Sequence, residues 1–240
     1  MTARYRVPVF TVICAAGSLA AGSMQVWWAP ELKLASLAAI DRKMDQRVEP
    51  FTPADGQGVT LQNAAGGRIE ERRAFTCREF LALYDEHFSP GDDYQNNREG
   101  GFIAQCIPLR VLQKAQPSRE SYVRAFHWTS DSLAELPVLF LPIESGTAGQ
   151  AAARSAKTWK EYEPTAHIVK AEGNTLEVDV PDAWECSLVV LARGDFNGDG
   201  VEDLLVQGYR QAMGGTFREF PVFVLTRGKG ETRLRLIERL

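Results

Sequence analysis

The sequence lacks several features that large classes of protein function require. It has 27 basic against 31 acidic side chains, a net charge of -4, and no run of Lys or Arg. Because contact with phosphate groups needs a basic face, this balance argues against a nucleic-acid-binding protein. The 240 residues, 45% hydrophobic and 24% charged, allow one large or two small domains with a hydrophobic core. Intrinsic disorder, collagen-like structure and a multi-span membrane protein are therefore disfavoured.

Standard catalytic motifs are also missing. The chain has only three histidines, His87, His127 and His167, and it contains no HExxH, GxSxG, Walker A or GxGxxG pattern. Any histidine-based catalysis must draw on these three side chains. The sequence therefore names neither a reaction nor a substrate, and it leaves open whether the protein is an enzyme.

The N-terminus has the pattern of an export signal. Arg4 and Arg6 form a short positive region, and a long uncharged stretch follows them. Small residues at positions 20 to 23 then offer a signal-peptidase site after Gly22. This pattern predicts a signal peptide over residues 1–22.

Two alternatives for the N-terminus remain open. The apolar stretch at residues 7–28 is long enough for an uncleaved membrane anchor, and Cys14 is a candidate for lipidation. All three interpretations export the rest of the chain. We therefore expect a periplasmic or secreted protein, or one that is membrane-anchored and faces the periplasm.

Cysteine usage fits an exported chain, because compartments beyond the cytoplasm permit disulfides. Beyond the signal peptide the chain has three cysteines, Cys77, Cys106 and Cys186, so one is unpaired or used between chains. We predict a Cys77–Cys106 disulfide, which would restrain the turn-rich stretch between them. In the alternative, Cys77 is a catalytic thiol at a helix start, but no CxxC motif accompanies it.

Hydrophobic spacing predicts a mixed, mainly helical region over residues 31–163. Its best-marked helix begins at Cys77, after a T-x-x-E capping box of Thr76 and Glu79, and runs to about Phe88. A polar, glycine-containing linker is expected at 55–67. Further helical segments are expected at 37–48, at 102–114 with an interruption at Pro108, at 121–128 and at 148–161.

The pattern changes to strands over residues 164–240. A hairpin is expected around Gly173 and Asn174, and alternation of apolar and charged residues favours antiparallel pairing. Six strands are predicted, at 166–170, 175–180, 187–193, 203–209, 217–226 and 233–238. The expected fold class is α+β, with a mostly helical N-terminal part packed on a C-terminal antiparallel β-meander.

One loop between two of these strands has the pattern of a metal site. Residues 195–203 spell DFNGDGVED, in which oxygen-bearing side chains recur at positions 1, 3, 5 and 9 and Gly200 permits a sharp turn. An all-oxygen set favours Ca2+ over Zn2+, and Mg2+ resists such full dehydration. The candidate ligands are Asp195, Asn197, Asp199, Asp203 and the main-chain carbonyl of Val201.

At these residues the sequence resembles the FG-GAP or VCBS-type repeat of integrin-like β-propellers, whose blades carry a D-x-[DN]-x-D-G-x-x-D calcium loop in a hairpin. The resemblance covers about residues 187–226 and implies calcium binding by the same five residues. A propeller needs four to eight blades, and the chain has one copy of the loop, so the family's ligand-binding face is not implied. An EF-hand is disfavoured, because position 12 is Val206 and the flanks are strand-like.

These observations predict an exported calcium-binding protein in which Ca2+ stabilises a β-hairpin. We expect a binding or structural module whose partner is a protein or an envelope ligand. The alternative is an envelope hydrolase with a structural calcium site. The Arg193-Gly194-Asp195 tripeptide also matches the RGD adhesion motif, but Asp195 is expected to bind the cation instead.

Overall fold

The computed structural model describes residues 24–32, 34–49, 58–64, 68–138, 156–215 and 217–240. The expected signal peptide at 1–22 lies outside these residues, as do residues 148–155 of a segment expected to be helical. Among the described helices, none is long and apolar enough to cross a membrane.

The structure is built on two antiparallel sheets. The larger one has eight strands in the order β11-β10-β8-β7-β6-β5, with β1 beside β7 and β9 beside β8, and the smaller one has the order β3-β2-β4. The strands are β1 (Trp27–Trp28), β2 (Val59–Asn63), β3 (Glu70–Ala74), β4 (Ser89–Pro90), β5 (His167–Glu172), β6 (Thr175–Val180), β7 (Trp184–Gly194), β8 (Asp203–Ala212), β9 (Arg218–Glu219), β10 (Val222–Thr226) and β11 (Arg235–Arg239).

Helices cover parts of these sheets. The longest is α3, which contacts both the small sheet and strands β8, β9 and β10 of the large one. The helices are α1 (Ile40–Met44), α2 (Cys77–Asp85), α3 (Asp93–Gln113), α4 (Ser132–Glu135) and α5 (Trp159–Tyr162), with 3-10 turns at Pro30–Leu32 and Leu37–Ala39.

The large sheet separates two hydrophobic cores, because successive residues of a strand point to opposite faces. In β10, Val222 and Val224 face the core that is completed by α1, α2 and α3. Phe223 and Leu225 face the other core, which includes the fully buried Trp159. Both cores therefore depend on the same strands, and β10 is buried along its whole length.

The expected mostly helical N-terminal part is wrong. Among the described residues, strand residues (36%) outnumber helical residues (26%), and the three-stranded sheet lies in the region assigned to helices and a linker. The charged sequence of β3, EERRA, hides this sheet, because four of its five residues are exposed. Its partner β2 alternates more clearly, with Val59 and Leu61 buried. Backbone pairing with β2 defines β3, and no apolar pattern marks it.

Helix α3 also differs from its expected bounds. It begins at Asp93 rather than at residue 102, because the Asp92 side chain caps it by accepting a hydrogen bond from the Gln95 amide at 2.7 Å. Pro108 lies inside the helix and does not interrupt it. The expected helix at 121–128 is absent, since that described segment consists of turns and irregular backbone.

Helix α2 has the capping box that its sequence indicated. The Thr76 hydroxyl accepts a hydrogen bond from the Glu79 amide, and the Glu79 carboxylate accepts one from the Thr76 amide. The helix ends at Asp85, and His87 then adopts a left-handed backbone conformation with φ of 63°. The structure also contains the Cys77–Cys106 disulfide, which joins the start of α2 to α3.

Candidate metal site

The candidate loop connects β7 to β8, the two strands of the long central hairpin. Strand β7 ends at Gly194 and β8 begins at Asp203. Two loop residues, Gly198 and Gly200, have φ values of 83° and 86°, which residues with a side chain rarely adopt. A Cβ on Gly200 would also lie 2.6 Å from a guanidinium nitrogen of Arg119, so a larger residue would displace the end of that flexible side chain.

Two of the predicted ligands lie inside the protein and form the floor of the loop. Asp195 is 3% exposed and Asp203 is fully buried. The Asp195 carboxylate accepts hydrogen bonds from the amides of Gly198 at 2.6 Å and Gly200 at 2.7 Å. The Asp203 Oδ2 atom accepts one from the Phe196 amide at 3.1 Å. Both carboxylates therefore face the loop that they flank in sequence.

Two other predicted ligands lie on the solvent side of the loop. Asn197 and Asp199 are exposed, and the Asn197 amide nitrogen donates a hydrogen bond to Asp199 Oδ2 at 3.0 Å. Asn197 Oδ1 accepts from the Asp199 amide at 2.9 Å, and Asp199 Oδ1 accepts from the Val201 amide at 2.7 Å. These short-range bonds fold the side chains back over the loop.

One oxygen in the loop is buried without a hydrogen-bond donor. This atom is Oδ1 of Asp203. Burial raises the pKa of Asp203 to about 6. The contacts of this carboxylate with the Phe196 amide and the Thr226 hydroxyl oppose the rise, whereas the nearby carboxylates of Asp199 and Asp195 reinforce it. Leaving a buried acceptor without a partner costs roughly 1–3 kcal/mol. A bound cation would be a partner for this oxygen, beside the Thr226 hydroxyl that contacts the same carboxylate, so the residues present fit a metal ion.

The loop is not a ready-made cluster of acidic ligands. Among the described residues, no three His, Cys, Asp or Glu side chains converge closely enough to hold a metal ion. The three predicted carboxylates, Asp195, Asp199 and Asp203, therefore do not converge on one point in this structure, and the other two predicted ligands are an amide side chain and a main-chain carbonyl. The Asp195 and Asp199 oxygens instead face backbone amides. Each carboxylate still has free lone pairs for a cation, since its two oxygens offer about four acceptor sites.

A segment far away in sequence completes the surroundings of the loop. Residues 116–121 follow α3 and lie along the loop, and the carbonyl of Gly200 accepts hydrogen bonds from the amides of Arg119 at 2.8 Å and Glu120 at 3.1 Å. Glu202, inside the loop, is 5% exposed and accepts a hydrogen bond from the Ser121 hydroxyl at 2.6 Å. Sequence reasoning missed both features. The position of Glu202 between two candidate ligands was the only local signal, because the pairing spans some eighty positions.

The free cysteine Cys186 is buried, and the adhesion tripeptide is bonded within the fold. Cys186 is a buried free thiol. Burial raises its pKa to about 12, so this thiol is poorly placed to react. The Arg193 guanidinium donates to the carbonyls of Arg124 at 2.5 Å and Phe126 at 2.8 Å. Because Asp195 is buried and the half-buried Arg193 is bonded to these carbonyls, the Arg193-Gly194-Asp195 tripeptide is not displayed for adhesion.

A groove lies between α1 and the end of α3. It has a volume of about 310 Å³ and is lined by Leu37, Ile40, Asp41, Leu112, Gln113 and Ala115. Its single carboxylate, on Asp41, accepts a hydrogen bond from the Gln113 side chain at 2.8 Å. The groove therefore does not supply the pair of carboxylates that a glycoside hydrolase uses.

No family model, curated protein or solved structure matches this chain.

Proposed function

We propose that this chain is an exported calcium-binding protein that works as a binding or structural module in the periplasm or outside the cell. The ion would be held by Asp195, Asn197, Asp199, Asp203 and the carbonyl of Val201. The observation on which this proposal depends is the fully buried Asp203, whose Oδ1 atom is buried without a hydrogen-bond donor. The oxygen spacing and the left-handed conformation of Gly200 support it independently.

The chemistry of the loop favours calcium over the other common ions. Calcium takes six to eight oxygen ligands in flexible geometry, so five protein oxygens and one or more waters would complete its shell. Zinc prefers nitrogen and sulfur ligands, and the predicted set has neither. When bound, the ion would neutralise carboxylates that repel one another, and it would join the ends of β7 and β8.

The stabilising effect would follow from mass action. An ion that binds only the folded hairpin raises the free energy of unfolding by RT ln(1 + [L]/Kd), which is about 2.7 kcal/mol when its concentration is one hundred times Kd. In a calcium-rich exterior, the ion would support a rigid sheet that presents a surface to a protein or an envelope ligand. The hydrolase alternative receives no support from the groove beside α1, which holds one carboxylate.

The test is a thermal melt of the exported protein in CaCl2, in MgCl2 and in chelator. We expect a rise in Tm with calcium that magnesium does not reproduce. Asp203→Asn, which preserves shape and removes the charge, should abolish this rise and weaken calcium binding in calorimetry by at least tenfold. Asp131→Asn is a matched control, because Asp131 is exposed and its side chain makes no cap hydrogen bond to α4. Equal calcium responses in wild type and Asp203→Asn would overturn the proposal.

A further inference from the structure

The residues directly after the expected export signal are part of the fold, beside the candidate metal loop. We call residues 24–29 the N-terminal segment. Trp27 and Trp28 pair with Arg193 and Ala192 at the end of β7, and the Ala29 amide donates to the Leu191 carbonyl at 2.6 Å. A membrane anchor, expected in the alternative to extend to residue 28, would therefore have to end before β1.

The N-terminal segment also contacts the residue before the loop. Val26 is 9% exposed, and a Cβ placed on Gly194 would lie 3.2 Å from its Cγ2 methyl group. Gly194 is the last residue of β7 and precedes the candidate ligand Asp195. The side chain of Val26 thus packs on the backbone that leads into the metal loop.

Residues 116–121 join the N-terminal segment to the loop, and we call them the 116–121 segment. On one side, Ser118 and Met24 exchange two backbone hydrogen bonds of 2.7 Å and 3.1 Å. On the other side, Gln116 and Asp195 exchange two more, of 2.9 Å and 3.0 Å. Because it bonds to both, the 116–121 segment bridges the N-terminal segment and the first candidate ligand.

The bonds from the 116–121 segment fall between the positions that would hold the ion. They reach the Gly200 carbonyl, at position 6 of the loop, and the Glu202 amide, at position 8. The Ser121 hydroxyl adds a bond to the Glu202 carboxylate. A change in loop shape on ion binding would therefore move groups to which this segment is bonded directly.

We propose that calcium binding in the loop and seating of the N-terminal segment are coupled through the 116–121 segment. This inference rests on the proposed calcium site and adds a regulatory role to it. The N-terminal segment is held by a two-residue strand, by the pair of bonds between Met24 and Ser118 and by the bond from Ala29, so its local opening depends directly on these neighbours. An exported chain would meet abundant calcium after translocation, and the ion would then complete the fold by fixing the new N-terminal strand.

Coupling between two sites is reciprocal, and this property defines the experiment. If calcium raises the seating equilibrium of the N-terminal segment by some factor, then the unseated form must bind calcium more weakly than the seated form by the same factor. We expect a factor of about five or more, the lower end of usual coupling strengths.

The first measurement is hydrogen exchange of the exported protein in CaCl2, in MgCl2 and in chelator. Peptides that contain residues 24–29 and 116–121 should exchange about fivefold or more slowly in calcium only. Peptides from the β5–β6 hairpin, which belongs to the far side of the sheet, serve as the internal control. Unchanged exchange of residues 24–29 in calcium would overturn the coupling.

The second measurement is the calcium Kd of variants that weaken the N-terminal segment or its bridge. Val26→Ala removes methyl groups from the contact with Gly194, and Ser121→Ala removes the hydroxyl bonded to Glu202. Val180→Ala is the matched control, since Val180 is 3% exposed and pairs with Trp184 at the opposite end of β7. We expect the first two variants to weaken calcium binding and the control to leave it unchanged.

The two proposals fail in different ways. Wild-type protein that binds no calcium in calorimetry would overturn both. Calcium binding that Asp203→Asn removes, together with unchanged Kd values in Val26→Ala and Ser121→Ala, would overturn the coupling and leave the calcium site standing.

Discussion

The two regions of the molecule are closed by different kinds of link. In the N-terminal region, a disulfide joins Cys77 at the start of α2 to Cys106 in α3. In the large sheet, the β7–β8 hairpin is closed by a loop of carboxylate and amide groups that bond to backbone amides. A disulfide acts mainly by restricting the unfolded chain, whereas a bound ion stabilises only the folded chain. One closure therefore responds to redox conditions, and the other is proposed to respond to calcium.

The largest expected effects test whether the two regions unfold together. Phe80 and Phe223 are both fully buried, one in each core. Replacing either by Ala should lower the free energy of unfolding by about 3–5 kcal/mol, because each change leaves a large cavity. Strands β8 and β10 line both cores, so we expect each variant to move a single transition.

Urea denaturation, followed by both tryptophan fluorescence and far-UV circular dichroism, measures whether the two regions unfold in one transition. The tryptophans report mainly on the sheet, and the helices report mainly on the N-terminal region. Two separate transitions, with each variant moving only one of them, would show that the regions fold independently.

The disulfide accounts for the next largest effect. The cysteines are 29 positions apart, and the loop-closure model gives a loss of about 3.5 kcal/mol when a link of that length is removed. The double variant Cys77→Ser/Cys106→Ser should lose roughly this amount in urea denaturation. Its calcium-dependent rise in Tm should remain, because the disulfide joins α2 to α3, whereas the candidate loop joins β7 to β8. Loss of the calcium response in this variant would mean that the two closures are not separate.

The difference between the regions also explains what the sequence could predict. Hydrophobic burial leaves a pattern in the sequence, so strands that are buried on one or both faces can be predicted. Strand β6 has its predicted bounds, Thr175–Val180, and β10 is buried on both faces. Strand β3 could not be recognised, since its residues are mostly exposed and only its backbone pairing with β2 defines it.

The candidate site divides in the same way. The candidate ligands of the loop are local in sequence, so their spacing alone was enough to predict them. The buried Glu202 and the 116–121 segment depend on contacts across some eighty positions, which no local pattern encodes. Asp92 at the start of α3 was a missed local signal, because Asp is a favoured N-cap residue and the helix was expected to begin only at residue 102.

The helix cap beside the disulfide gives a smaller, local effect. Thr76→Ala removes the hydroxyl that accepts from the Glu79 amide, which should cost about 1 kcal/mol. Because α2 begins at Cys77, the disulfide still fixes the first turn in the oxidised protein. Chemical denaturation in the presence and absence of reductant measures both contributions, and the cap should be worth about the same in each. A cost near zero in the oxidised form would show that the disulfide alone positions the start of α2.

The smallest expected effect is a pH dependence in the N-terminal region. Burial raises the pKa of Glu99, on α3, from 4.5 to about 7. The folded state therefore favours the protonated form, so this contribution to the free energy of unfolding is complete below pH 4.5 and declines as the pH rises to about 7. Partial exposure limits it to about 1 kcal/mol or less. Glu99→Gln should flatten this part of the stability profile in chelator, whereas Glu71→Gln, at an exposed position of β3, should not. Parallel profiles for wild type and Glu99→Gln would show that Glu99 is solvated in the folded protein, and the remaining slope would then belong to other groups such as Asp203.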